Sequence, residues 1–333
     1  MTRIGYSLRE TATGTLFGDL PPDPRLLIDA LADDGHHMVP LNPAPRPTGA
    51  PLGFPAISVL LLEWQPDDTT TGPASDARTR QRLQHQRDLL AHYTGQRATP
   101  TLLWDTSSAL PKTHPLRRAR HVTVCDIGRR FGARRLLPPL PASALKAPDA
   151  DTLASKPRRF TVGYVGDLDI HRQAYNAFLA PAIRQFPHVV VGAGGERCSC
   201  WPPDDATHRR LRDVYSQSLA TILLPPDYGV SGIGVLEQLA QAILAGCVPL
   251  LPTALSPFDQ FITARLLIDS ERAALERLHW LNDIATTAEH TALLGDCLDR
   301  LQRFSLTRQH TALRAMIADL LRLPYPRGGT PAR

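Results

Sequence analysis

The stretch 228–252, YGVSGIGVLEQLAQAILAGCVPLLP, decides how the rest of the chain is read. Glycines at 229, 232 and 234 open a run from Val235 to Ala245 that is apolar except at Glu237, Gln238 and Gln241. A run with so little polar face is expected to be a buried helix. Gly246 follows it, where a left-handed residue ends a helix, and Val248-Pro249-Leu250-Leu251 then reads as a buried strand. A glycine loop feeding a helix start gathers free backbone N–H groups and the positive end of the helix dipole, which suits a phosphate. A plain loop-helix-strand unit, its glycines needed only for close packing, fits the same letters.

Outward from that stretch, the second half of the chain repeats one pattern. Phe160–Val165 (FTVGYV) is expected to be a strand, followed by the turn Gly166-Asp167-Leu168-Asp169-Ile170-His171-Arg172. Gln173–Phe186 reads as a helix, and His188–Val191 as a strand running into the glycines of 192–195. Asp204–Gln217 is a charged helix and Ala220–Leu224 a strand, leading through Asp227 into the opening stretch. Phe258–Arg265, Ala274–Leu281 and most of Thr287–Leu323 read as helical.

The first half has the same rhythm. Strands are expected at Arg3–Ser7, His36–Pro40, Ile57–Leu62, Thr99–Trp104, His121–Val124 and Leu136–Leu140, with helices over Pro24–Ala32 and Ala77–Tyr93. The continuous apolar run ISVLLL at 57–62 marks a strand buried on both faces. Three strand ends deliver Glu63, Asp105 and Asp126 toward one edge of a sheet, where ligand sites of α/β folds lie. Each carboxylate suits a general base; each equally suits a cap on the turn that follows.

At 333 residues the chain has room for two domains, each able to bury a core. The boundaries fall at 1–141, a linker at 142–157 without periodicity, 158–323, and a tail at 324–333. No apolar run reaches a membrane span, and the start MTRIGYSLRE lacks a secretory pattern, so the default compartment is the cytoplasm. Five scattered cysteines agree with a reducing environment. Cys198 and Cys200, with His208 nearby, lack the second cysteine pair of a zinc site, so no metal is expected. The window Lys112–Arg135 holds eight Lys or Arg, among them Arg117, Arg118, Arg129, Arg130, Arg134 and Arg135, against the single acid Asp126. So local an excess points to an anionic partner, although a solvated arginine-rich face explains any one of these residues.

With these residues in view, Ala245-Gly246-Cys247-Val248-Pro249 and the glycine loop before it resemble the nucleotide-sugar signature of GT-B glycosyltransferases. The resemblance implies two Rossmann-like domains with parallel sheets facing across a cleft, the donor on the second and the acceptor on the first, with the last helices of Thr287–Leu323 crossing back to brace the first. It implies no resident cofactor, only a UDP- or GDP-sugar co-substrate. Donor contacts would fall to Gly166, Asp167, Arg172, Ser231 and Gly232, with Arg172 on the diphosphate. The family's ribose-binding glutamate is replaced here by Gln241, with Glu237 one helical turn earlier. Asp105, then Glu63 and Asp126, would be candidates for the base. The basic window would hold an anionic acceptor, such as a hydroxymethylated pyrimidine in DNA, an anionic cell-surface precursor, or a small natural product. A nucleotide-sugar epimerase and a non-catalytic subunit with a degenerate donor site share the same architecture.

Overall fold

The computed structural model describes residues 1–8, 23–41, 53–66, 77–128, 130–146, 149–166, 168–192, 212–225, 232–256 and 258–322. The chain divides into two compact units. The first holds strand β1 (Arg3–Ser7), the span Pro24–Pro138 and the helix Leu306–Arg322; the second holds Pro139–Ser305. Both sheets are parallel throughout their described pairings.

The first unit's sheet joins β1 to β2 (His37–Pro40), β3 (Val59–Glu63), β4 (Thr101–Asp105), β5 (Val122–Asp126) and β6 (Arg134–Arg135), in the order β2-β1-β3-β4-β5-β6. The unbroken apolar run in β3 has a direct cause. Val59 and Leu61 face a cluster completed by Leu27, Ile28 and Leu31 of the helix Arg25–Asp33 and by Leu313, Met316, Ile317 and Leu320 of Leu306–Arg322. Leu60 and Leu62 face the opposite layer, with Leu89 and Tyr93 from the end of the helix that starts at Ala77. Helices thus cover both faces, and strand residues of either parity must be apolar. The last helix is also fastened at its surface, where Asp34 meets His310 Nε2 at 3.0 Å and Arg314 Nε at 3.1 Å.

The second sheet contains β7 (Phe160–Val165), β8 (His188–Val191), β9 (Ser218–Ile222), β10 (Val248–Pro252) and β11 (Leu267–Ile268), in the order β11-β10-β9-β7-β8. Between β7 and β8 the chain is helical from Arg172 to Gln185, with a π-helical turn at Tyr175–Leu179. The helix Gly232–Leu244 joins β9 to β10, and Glu271–Ile284 and Ala288–Leu301 follow β11. Where the chain leaves and re-enters this unit, Leu140 N donates to Phe304 O at 2.9 Å, so the two passages run side by side.

Three expectations give way here. The span 142–157 is not a structureless linker: it carries helices at Ala142–Lys146 and Ala150–Ala154, the second capped by Asp149, which accepts from Thr152 N at 3.0 Å. The expected strand at Leu136–Leu140 pairs instead at Arg134–Arg135, a short edge strand whose arginines conceal it from an apolar pattern. Phe258–Arg265 is not one helix; Ile262 N to Asp259 O and Leu266 N to Thr263 O close separate 3₁₀ turns. The helix Leu306–Arg322, although within the stretch assigned to the second domain, crosses back as expected and completes the core of the first unit.

Candidate functional site

In an open parallel sheet, ligands bind beyond the carboxyl ends of the strands where the connections reverse direction. In the second unit this point lies between β7 and β9, neighbours in the sheet but not in the chain. The end of β7 is Gly166, whose N–H donates to Val191 O at 3.0 Å. Gly192, just past β8, lies so close that a Cβ there would stand 1.7 Å from Gly166 O. These two strand ends therefore meet backbone to backbone. The end of β9 leads into the helix Gly232–Leu244, whose second turn sends Gln238 Nε2 to Val165 O at 3.3 Å. One side chain thereby pins the middle of this helix beside the end of β7.

The other donor-side residues fall as follows. Glu237 is buried, and Gln241 has its Nε2 buried without a hydrogen-bond partner. Arg172 is exposed at the first turn after the β7 loop. Asp167 and Ser231, with Cys198, Cys200, His208 and Asp227, lie outside the described residues. Sequence reasoning passed over Gln238, because a single polar residue in a buried helix gives no sign of which carbonyl it will meet.

The second half of the opening stretch has a different task. Gly246 adopts the left-handed conformation (φ 76°), Cys247 N donates to Ala242 O at 2.8 Å, and Gly246 N donates to Ile243 O at 2.9 Å. This paired closure is a Schellman stop. Arg158 reinforces it, Nη1 donating to Ala245 O at 3.1 Å and Nη2 to Leu153 O at 2.7 Å. A Cβ on Gly246 would come within 2.5 Å of Arg158 Nη2, so glycine and arginine require each other. Burial pushes the Cys247 thiol well above its usual range, which makes it a packing residue rather than a nucleophile.

In the first unit Glu63, Asp105 and Asp126 do share the carboxyl edge of one sheet, with Asp105 directly beside Asp126 in register. All three are enclosed, at 4%, 0% and 0% exposure. Asp105 has its oxygens committed: Oδ1 accepts from Ser107 Oγ at 3.1 Å and Ala109 N at 3.0 Å, and Oδ2 accepts from Leu110 N at 2.8 Å. It shapes the turn that follows β4. Glu63 accepts from Thr106 Oγ1 at 2.9 Å and stands at the switch point of this sheet, between β1 and β3. The buried thiol of Cys125 is pushed up well above its usual range, first by desolvation and then by the charges of Asp126 and Asp105.

The basic window separates into distinct roles. Arg117, only 8% exposed, donates to Leu110 O at 2.9 Å and Pro111 O at 3.1 Å, and its Nη2 lies 3.8 Å from Asp105. Arg134 pairs with Asp319 at 2.6 Å. Lys112, Arg118 and Arg120 are exposed, and Arg135 is half-buried. Arg130 lies in a single turn with Phe131 and Gly132, and Arg129 is outside the described residues.

No protein-family model and no curated protein matches this sequence. Among solved structures, T4 phage BGT in complex with its UDP-glucose substrate matches 96% of this chain and 100% of its own at 11% identity, with a TM-score of 0.51. The DNA modifying enzyme beta-glucosyltransferase, solved with and without uridine diphosphoglucose, matches 96% and 100% at 10% identity and TM-score 0.48. An alpha,alpha-trehalose 6-phosphate synthase from Burkholderia multivorans matches 79% and 72% at 14% identity and TM-score 0.41. Two sheets whose described strands, six and five, are all parallel, in a chain matched over nearly its whole length by the first of these, give it the GT-B fold of glycosyltransferases.

Proposed function

We propose that this chain transfers a sugar from a nucleotide sugar, a UDP- or GDP-sugar, to an acceptor hydroxyl. The observation that carries the reading is the switch point of the second sheet. There the bond from Gln238 to Val165 O holds the middle of the Gly232–Leu244 helix against the end of β7. Helix N–H groups and the dipole behind them favour the charge that develops on a departing diphosphate. T4 phage BGT, the solved structure of the same fold reported above, holds UDP-glucose as its substrate.

In this reading Gly166, Asp167, Ser231 and Gly232 offer backbone groups to the diphosphate, and Arg172 adds charge. Glu237 and Gln241 lie on the helix behind them for the ribose. The bond from the sugar's anomeric carbon to the diphosphate breaks, a bond to the acceptor oxygen forms, and the acceptor proton passes to a carboxylate. Glu63 leads for that last role because it stands at the switch point of the first sheet, followed by Asp105 and Asp126. The basic window favours an anionic acceptor, and a hydroxymethylated pyrimidine in DNA supplies both the charge and the hydroxyl.

A thermal-shift panel of UDP- and GDP-sugars tests the donor half. A true donor at a hundredfold its dissociation constant adds roughly 2.7 kcal/mol of stability. Mass spectrometry of a hydroxymethylated oligonucleotide incubated with that donor tests transfer. Conversion of the donor sugar without any acceptor would make the chain an epimerase, and a panel with no shift at all would overturn the reading.

A further inference from the structure

Among the described residues, four that are not glycine have a left-handed backbone: Ala98, Ser108, Phe131 and Thr286. Three are small or sit in turns with a visible fastening; Ser108, for instance, lies inside the loop that Asp105 ties down. Phe131 differs. Its φ of 52° and ψ of 36° are costly for a bulky residue, by about 1–3 kcal/mol. The cost is not recovered by burial, since the side chain is 54% exposed. Gly132, which follows with φ 78°, is the residue type such a turn favours.

The turn holding Phe131 leaves the carboxyl end of β5, the edge at which Asp126 lies. Beneath the ring, the guanidinium carbon of Arg117 stands 5.4 Å from its centroid. Arg117 is itself immobilised by two carbonyls and by Asp105. An anchored cation therefore supports one side of an aromatic ring that remains open to solvent. Arg118, next to that support, and Lys112 are exposed in the same basic window.

We infer that Phe131 is a stacking platform for a nucleobase of a nucleic-acid strand whose phosphates run along this basic window, an inference that rests on the acceptor side of the function proposed above. A planar base gains from an aromatic face whatever its sequence, and the fixed guanidinium keeps the platform in place without ordering cost at binding. The surrounding positive charge selects a polyanion over a neutral glycan, which would also accept an aromatic face.

Fluorescence anisotropy with a labelled single-stranded oligonucleotide tests this in the full chain. F131A should weaken binding about 5- to 150-fold, F131Y or F131W should restore it, and the slope of affinity against salt should stay as in the parent because no charge is lost. F131G should weaken binding as strongly while leaving the thermal midpoint unchanged or raised, since it relieves the turn; that separates the effect from misfolding. R118A should lower the salt slope by about one instead. Equal binding by parent and F131A would overturn the inference, and so would an equal loss toward base-free polyphosphate. A donor-induced thermal shift retained in F131A keeps the glycosyltransferase reading standing whichever way the DNA result falls.

Discussion

Asp105 shows how one side chain can look catalytic and be structural. It ends a strand at the right edge of the sheet, yet its two oxygens bind Ser107, Ala109 and Leu110. Asp105→Ala should cost about 2–4 kcal/mol in urea unfolding, because it strands backbone N–H groups beside the buried Leu110. Glu63→Gln should keep its bond from Thr106 and change stability by less than about 1 kcal/mol, while lowering transfer about 10²- to 10⁴-fold. The reverse pattern would return the base to Asp105. The sequence reveals the shared edge of these carboxylates, because strand ends can be read from apolar runs. It does not reveal which oxygens are already engaged, since that depends on loop conformation. His290 is a second residue-scale case. Burial, then the nearby charge of Arg158, holds its pKa below 6.5, and its Nδ1 accepts from Thr286 N at 3.2 Å. The unfolded chain therefore takes up a proton that the folded one refuses, so stability should fall as pH drops from about 6.5 through the lowered pKa, by at most about 1.4 kcal/mol per pH unit. His290→Gln should flatten that dependence in pH-resolved thermal melts.

At the scale of elements, the helix Gly232–Leu244 is fixed at two points by different means. Gln238 fastens its middle to β7, and Gly246 with Arg158 closes its end. Gly246→Ala should cost about 1–3 kcal/mol, from a left-handed backbone and a Cβ pressed on Arg158. Adding Arg158→Met should give less than the sum of the two losses, because they share one contact; additive losses in a double-mutant cycle would deny that coupling. Elements with a single driving force were legible from sequence. β7 and β8 begin and end where their apolar runs do, at Phe160–Val165 and His188–Val191. Elements made by pairing alone were not: β6 is two arginines held by β5, and nothing in their chemistry announces a strand. The short helix Ala150–Ala154 depends on an Asp149 cap that a window of alanines does not disclose.

For the molecule as a whole, the division of the chain matters more than the composition of either part. The first unit borrows its last helix from beyond the second, and Leu313, Met316, Ile317 and Leu320 from it are buried against β3 and the helix Arg25–Asp33. At about 1.5–3 kcal/mol for each such side chain, their removal forfeits roughly 6–12 kcal/mol, comparable with the entire stability of a domain. A chain ending at Ser305 should therefore lose the first unit's cooperative transition in calorimetry, and a first unit that still melts cooperatively would refute this ledger. The same arrangement sets an order of events during synthesis. A ribosome delivers the strands of the first unit early, but the helix that seals them arrives only after the whole second unit. Until that helix emerges, the newborn sheet carries an uncovered oily side, so the protein's earliest vulnerability to aggregation is written into the placing of one helix behind an entire second unit.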